Sequence, residues 1–107
     1  MSWTTVTNST ITADGTEQNL YNTTLTGTLL VEIDCNNMAG ADSLTVRAYV
    51  SVNGNTRQKY RWTLPVGAQD PPIWCPPPLA AGGETLKVTI QQTAGTNRAY
   101  GYKTMTQ

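Results

Sequence analysis

Leu44-Thr45-Val46-Arg47-Ala48-Tyr49-Val50-Ser51-Val52, then Asn53-Gly54-Asn55, then Thr56-Arg57-Gln58-Lys59-Tyr60-Arg61-Trp62-Thr63-Leu64, is the stretch that settles the fold class. Apolar and polar residues alternate on both sides of a turn-forming triplet. A period of two gives each strand one buried and one outward face, so the stretch is a half-exposed antiparallel hairpin. With a two-residue Asn53-Gly54 turn, inward Val50 would face Arg57. A three-residue loop, with Asn55 in the left-handed region, instead pairs Val52 with Thr56, Val50 with Gln58, Ala48 with Tyr60, Val46 with Trp62 and Leu44 with Leu64. That register puts the apolar residues, apart from Tyr49, on one face and sets Arg47 opposite Arg61.

The same alternation recurs along the chain. Leu29, Val31 and Ile33 alternate with Leu30, Glu32 and Asp34, and Leu86, Val88 and Ile90 mark a strand from Glu84 to Thr93. Tyr100 and Tyr102 point inward from a last strand over 98–106, and 3–12 supplies one or two short edge pieces. A short strand at about 19–25 precedes the stronger one at 26–35. Ala13-Asp14-Gly15-Thr16, residues 36–42, Ala80-Ala81-Gly82-Gly83 and Ala94-Gly95-Thr96-Asn97 read as turns.

All six prolines lie between Pro65 and Pro78. Pro65 ends the Leu64 strand. Pro71-Pro72 and Pro76-Pro77-Pro78 bracket Ile73-Trp74-Cys75, an edge or bridging strand in an extended Pro/Gly-rich connection over 65–83. The chain reads as a single all-β domain over 1–107, with an N-terminal arm or edge strand over 1–12. Its architecture is an antiparallel β-sandwich, jelly-roll-like, of about eight short strands.

Composition narrows the function. Thr is the commonest residue, and seven acids balance seven bases. Without a basic excess to neutralise phosphates, nucleic acid is not an expected partner. No apolar run reaches membrane-spanning length, and the start of the chain lacks the pattern of a secretory signal, so synthesis in the cytoplasm and no membrane partner are expected. Low charge on a Thr-rich surface suits a protein that lives in an assembly. Cys35 and Cys75 share the parity of their apolar neighbours and read as two buried, reduced thiols, with a disulfide formed later, outside the cell, as the alternative.

The search for chemistry yields no catalytic residue, metal or cofactor. His is absent. Glu32 and Asp34 stand two residues apart on one strand face, ~7 Å between Cα atoms. That spacing suits paired glycosidase carboxylates or two calcium ligands, and equally a solvated face neutralised by arginines. If their strand flanks the 43–52 strand, they also offset the Arg47–Arg61 repulsion. The two cysteines lack both CxxC spacing and a histidine.

Binding residues remain. Arg57, Lys59 and Arg61 form a basic stripe that either docks on an acidic protein surface or pairs with Glu32 and Asp34. Trp74 either projects outward as an interface anchor or caps an open end of the sandwich. Trp3, in the N-terminal arm, is the other aromatic candidate for partner binding.

Ile11-Thr12-Ala13-Asp14-Gly15-Thr16-Glu17-Gln18, the loop after Ile33-Asp34, and Gln92-Thr93-Ala94-Gly95-Thr96-Asn97-Arg98 leading into the aromatic final strand together resemble small virion proteins of tailed bacteriophages. Among these are head decoration, or cement, proteins with a jelly-roll-like sandwich. The resemblance implies a non-enzymatic protein on the capsid exterior. It would be a homo-oligomer, a trimer above all, that binds the major capsid protein and stabilises contacts between its subunits. Its contacts would lie in the Pro-rich segment from Pro65 to Pro78, with Pro72 and Pro77, and in the arm from Ser2 to Thr7, since rigid extended segments lose little entropy on docking. The alternative is a tail or fibre accessory module that binds carbohydrate through an aromatic platform, with Tyr49, Trp3 and Trp74 as its outward candidates.

Overall fold

The computed structural model describes residues 3–64, 67, 69 and 71–107. Ser2 of the arm and Pro65 of the connection lie outside them. Seven strands follow in order: β1 (Thr4–Thr12), β2 (Gln18–Asp34), β3 (Ser43–Val52), β4 (Asn55–Leu64), β5 (Ile73–Trp74), β6 (Leu79–Ala94) and β7 (Ala99–Thr106). All pairings are antiparallel, in the order β1-β7-β2-β6-β3-β4, with β5 also on β2. No helix occurs among the described residues.

Seven strands replace the expected eight because one expected break is continuous, and a second expected turn is part of a strand that starts earlier. The segments at about 19–25 and 26–35 fuse into the 17-residue β2, and Ala80-Ala81-Gly82-Gly83 is not a turn but part of the 16-residue β6. The pairing skips one residue between Thr26↔Gly82 and Leu25↔Glu84, so Gly83, at φ 103, is accommodated as a bulge.

β2 organises the molecule. Its first part pairs with β6 up to Leu29↔Leu79, while Leu29 to Asp34 pair with β7 on the other side. β5 lies against Ile33 and Asp34, so the proline-bracketed segment continues the β6 side of β2, the bridging role its sequence implies. This stagger leaves β7 and β1 on one wing and β3 and β4 on the other. Gly27, at φ 136, sits where the wings diverge. A Cβ there would run into the Gln107 backbone carbonyl, so only glycine lets the C-terminus close on Thr28.

The wings face each other across one core. Leu29, Val31, Ile33, Leu44, Val46, Ala48, Leu86, Val88, Ile90 and Tyr100 are all buried in a single cluster. These are the inward positions of the two-residue pattern, and each full-sized aliphatic side chain there contributes about 1.5–3 kcal/mol. The Tyr100 hydroxyl on β7 donates to Gln92 Oε1 on β6 at 2.8 Å, and Trp62 on β4 meets Trp74 on β5 edge-on at 5.7 Å. The sheet therefore closes on itself as a sandwich.

The β3–β4 register combines the two loops weighed from sequence. Leu44↔Leu64, Val46↔Trp62, Arg47↔Arg61 and Ala48↔Tyr60 pair as expected. Nearer the tip, however, the turn is the two-residue Asn53-Gly54, with both φ angles positive (51° and 78°), and Asn55 pairs with Val52. The parity conflict is absorbed at Lys59, which the ladder skips between Ala48↔Tyr60 and Tyr49↔Gln58. A bulge does what the longer loop was expected to do.

Candidate binding surface

The bulge splits the basic stripe. Arg61 lies opposite Arg47 on the outer face, whereas Arg57 lies opposite Val50, on the core side. Lys59 rests 5.3 Å from the Tyr60 ring centre and, with Ala48, Val50, Tyr60 and Pro78 to Ala80, lines a cavity of about 220 Å³ at the uncovered end of the core side. Three cations on one face, as the alternation implied, are thus two on one side and one on the other. None has a carboxylate within ion-pair distance among the described residues.

The acids that were to neutralise them are elsewhere. β3 is flanked by β6, not β2, so Glu32 and Asp34 never approach Arg47 or Arg61. Glu32 pairs with Lys103 at 3.2 Å, and Asp34 Oδ1 accepts the Asn36 backbone N–H at 3.0 Å. Arg47 is instead held by Gln91 Oε1 at 2.9 Å and by Glu17 at 3.7 Å. Glu17 also accepts the hydroxyls of Tyr49 and Thr89 at 2.5 and 2.6 Å. Burial pushes its carboxyl up, but those hydrogen bonds and the charges of Arg47 and Lys87 outweigh it and hold it below its ordinary value. Tyr49, whose ring lies 5.0 Å from Lys87 Nζ, is therefore tied into this outer cluster. Sequence reasoning missed Glu17, which lies 72 residues from Thr89, because nothing local marks it as reaching a distant strand.

Glu32 and Asp34 line the larger concavity, an open groove of about 500 Å³, with Asn8, Ser9, Thr10, Ile73, Gly101, Tyr102 and Lys103. Strand register explains its shape. Thr10, Gly101, Asp34 and Ile73 are successive cross-strand neighbours, and so are Asn8, Lys103 and Glu32. Gly101 leaves a gap in this row of side chains. A Cβ there would make only ordinary contacts, so neither backbone conformation nor close approach requires the glycine. Among the described residues, no group of three or more His, Cys, Asp or Glu side chains is placed to hold a metal ion.

The aromatic and proline candidates separate. Trp3 is exposed ahead of β1, which is a paired edge strand rather than a free arm. Trp74 lies opposite core residue Ile33 and packs against the core and Trp62, so it turns inward; Ile73, opposite Asp34, is the exposed one. This is nearer to capping the sandwich than to an outward anchor. Tyr60 stacks on Trp62 at 5.4 Å, which extends the row to Tyr60–Trp62–Trp74. Pro77 is exposed, while Pro72 is half-buried and its carbonyl accepts the Cys35 N–H at 2.8 Å.

Both cysteines are free, but only Cys35 is buried; Cys75 is exposed, against expectation. The parity argument fails there because the neighbouring prolines interrupt the ladder and Trp74 takes the inward position. Burial and, secondarily, the Asp34 charge push the Cys35 thiol up to about 11, and burial and Glu32 raise that of Cys75. Both are protonated at neutral pH.

Comparison with family models, with curated proteins and with solved structures finds no match to this chain. The likeness to phage virion proteins rests on the sequence pattern alone.

Proposed function

We propose that this protein is a non-enzymatic decoration, or cement, protein of a tailed-phage head, which binds the major capsid protein and stabilises contacts between its subunits. The observation that carries the reading is the β3–β4 hairpin. It offers Arg57 and Lys59, on the core side and without acidic partners among the described residues, beside Val52 and Tyr60, which are 62% and 42% exposed. Unpaired cations around exposed apolar side chains suit an acidic protein surface: the apolar contact supplies the affinity and the charges set orientation and rate. The Tyr60–Trp62–Trp74 row, stacked at its first contact and edge-on at its second, stiffens this hairpin against the rest of the sheet, so little order has to be gained on docking. Trp3 and Pro77, both exposed, extend the candidate contact set.

The test is co-sedimentation of the purified chain with undecorated heads. The wild-type chain is expected to pellet with them in a saturable way. An Arg57→Glu/Lys59→Glu variant should bind at least about tenfold more weakly, equivalent to ~1.4 kcal/mol. A wild-type chain that stays in the supernatant contradicts the proposal.

The Gly101 groove favours a second reading, a carbohydrate-binding module of a tail or fibre. Asn8, Thr10, Glu32, Asp34 and Lys103 give it donors and acceptors suited to sugar hydroxyls. Binding to a glycan panel that Gly101→Leu abolishes, with no binding to heads, selects this reading over the first.

A further inference from the structure

The two outer strands of the sheet differ in how they meet solvent, and the difference assigns β1 a task. β1 is Thr-Thr-Val-Thr-Asn-Ser-Thr-Ile-Thr, a nine-residue strand without a charge or a proline. Edge strands offer unpaired N–H and C=O groups to any neighbour, and proteins ordinarily block them with charge, proline or a bulge. β4 carries three cations and a bulge. β1 has a bulge only at its start, between Thr5 and Thr7, and an unbroken register from Thr7 to Thr12.

The hydrogen-bond pattern shows which groups of β1 are free. Ala13 N–H donates to the Arg98 carbonyl at 2.9 Å, in register with Thr12↔Ala99 and Ile11↔Tyr100. Because antiparallel pairs alternate between bonded and non-bonded, Ile11 and Ser9 aim their backbone groups at β7, while Thr12, Thr10 and Asn8 aim theirs outward. The Thr12 carbonyl fits this direction: it accepts Gln18 Nε2 at 3.0 Å. Among the described residues nothing comparable meets Thr10 or Asn8, both of which are exposed.

We infer that β1 is the self-association edge of this protein, pairing antiparallel with β1 of a second copy about a two-fold axis at Ser9. In that register Asn8 of each copy exchanges backbone hydrogen bonds with Thr10 of the other, and the free groups of both edges are met in one closed contact. The strand is its own complement. Thr7, Ser9 and Ile11 share one face and Asn8 and Thr10 the other, so parity is kept across the axis. Ile11, half-buried against the core, gains cover from Thr7 of the second copy. No like charges meet across the seam, since the nearest cation, Lys103, already pairs with Glu32. A second β4 beside β4 would instead bring Arg57 and Arg61 against their own copies. The Gly101 grooves, which Asn8 and Thr10 flank, would join into one trough.

The inference is independent of the capsid reading and concerns the isolated chain. Sedimentation velocity from low micromolar to near-millimolar concentration should show a monomer–dimer equilibrium. Thr10→Pro removes an outward N–H that β7 does not use, and Thr10→Lys sets like charges beside the axis; each should weaken dimerisation at least about tenfold. Thr10→Val, which keeps the backbone, should dimerise as the wild type does. Circular dichroism checks folding, and if the proline variant is unfolded the lysine variant decides. A wild-type chain that is monomeric throughout, including one that instead captures a foreign extended peptide, overturns the inference. So does a trimer, which two-fold edge pairing cannot build, or a dimer that both Thr10 variants leave intact.

Discussion

β1 and β4 occupy equivalent places at the two ends of the strand order, yet they are built on opposite principles. β4 is basic, bulged at Lys59 and backed by the Tyr60–Trp62–Trp74 row. β1 is neutral and rich in threonine, and among the described residues β7 is the one strand it pairs with. One edge carries cations that would meet their like in a second copy; the other carries no charge that a second copy would reject. On the two proposals above, a small near-neutral domain would hold two binding tasks apart by placing its few charges unequally.

The comparison depends on both wings being held together, and Asp42 does much of that. Its buried carboxylate accepts the backbone N–H groups of Ala39 and Thr96 at 2.9 Å each and pairs with Arg98, just before β7. Asp42→Ala should therefore have the largest effect, lowering the melting temperature by roughly 10 °C or more and loosening β7 and β1 before β3 and β4. Hydrogen–deuterium exchange resolved by strand would show the order, and uniform loosening would contradict it. The hydrogen bond from Ala39, with those from Arg98 and Thr96, holds the Asp42 carboxyl below its usual 3.8. A lowered folded value means that the stabilisation is complete above about pH 4 and is lost as pH falls further. Acid should accordingly release the β1 wing first.

Tyr100→Phe comes next. It removes the hydroxyl donated to Gln92 Oε1 but leaves the ring in the core, and it should cost about 1 kcal/mol in urea unfolding. No loss would mean that Arg98 N–H, the other donor to Gln92 Oε1, suffices there. Replacing Arg57, Lys59 and Arg61 together by Thr should change stability by less, within about 0.5 kcal/mol, yet make β4 resemble β1. New concentration-dependent association is the expected sign, read by light scattering. Unchanged solution behaviour would show that charge is not what distinguishes the edges. Deleting Lys59 should have the smallest effect: it removes the bulge while keeping Ala48↔Tyr60 and Tyr49↔Gln58 in register. A folded variant with near wild-type stability is expected, and an unfolded one would give the bulge a larger role.

Much of this was legible in the sequence, and the failures share a cause. Alternation alone placed Leu44, Val46, Leu86, Val88, Ile90 and Tyr100 inward and the base of the hairpin in register, because burial enforces a two-residue period. It could not locate the slips. Lys59 looks like any outward strand residue, and Gly82-Gly83 looks like a turn. Each is a one-residue excess whose only consequence is in the partner strand. The parity of Arg57 and the basic stripe were lost with the first slip, and the start of β6 with the second; the count of strands changed because β2 runs through the break expected at 25–26. Cys75 was misplaced, and Trp74 was left open between anchor and cap, because prolines suspend the alternation on which both depend. Asp42 and Glu17 carry the polar structure of the corner and outer face through partners 54 to 72 residues away, and no local spacing announces such partners.

The most direct measurement is the number of copies of this protein per major capsid protein in purified phage particles. A ratio near one, or a simple fraction such as one-third, is what decoration of an icosahedral head predicts. A few copies per particle would place the protein in the tail, and none at all would contradict the virion account.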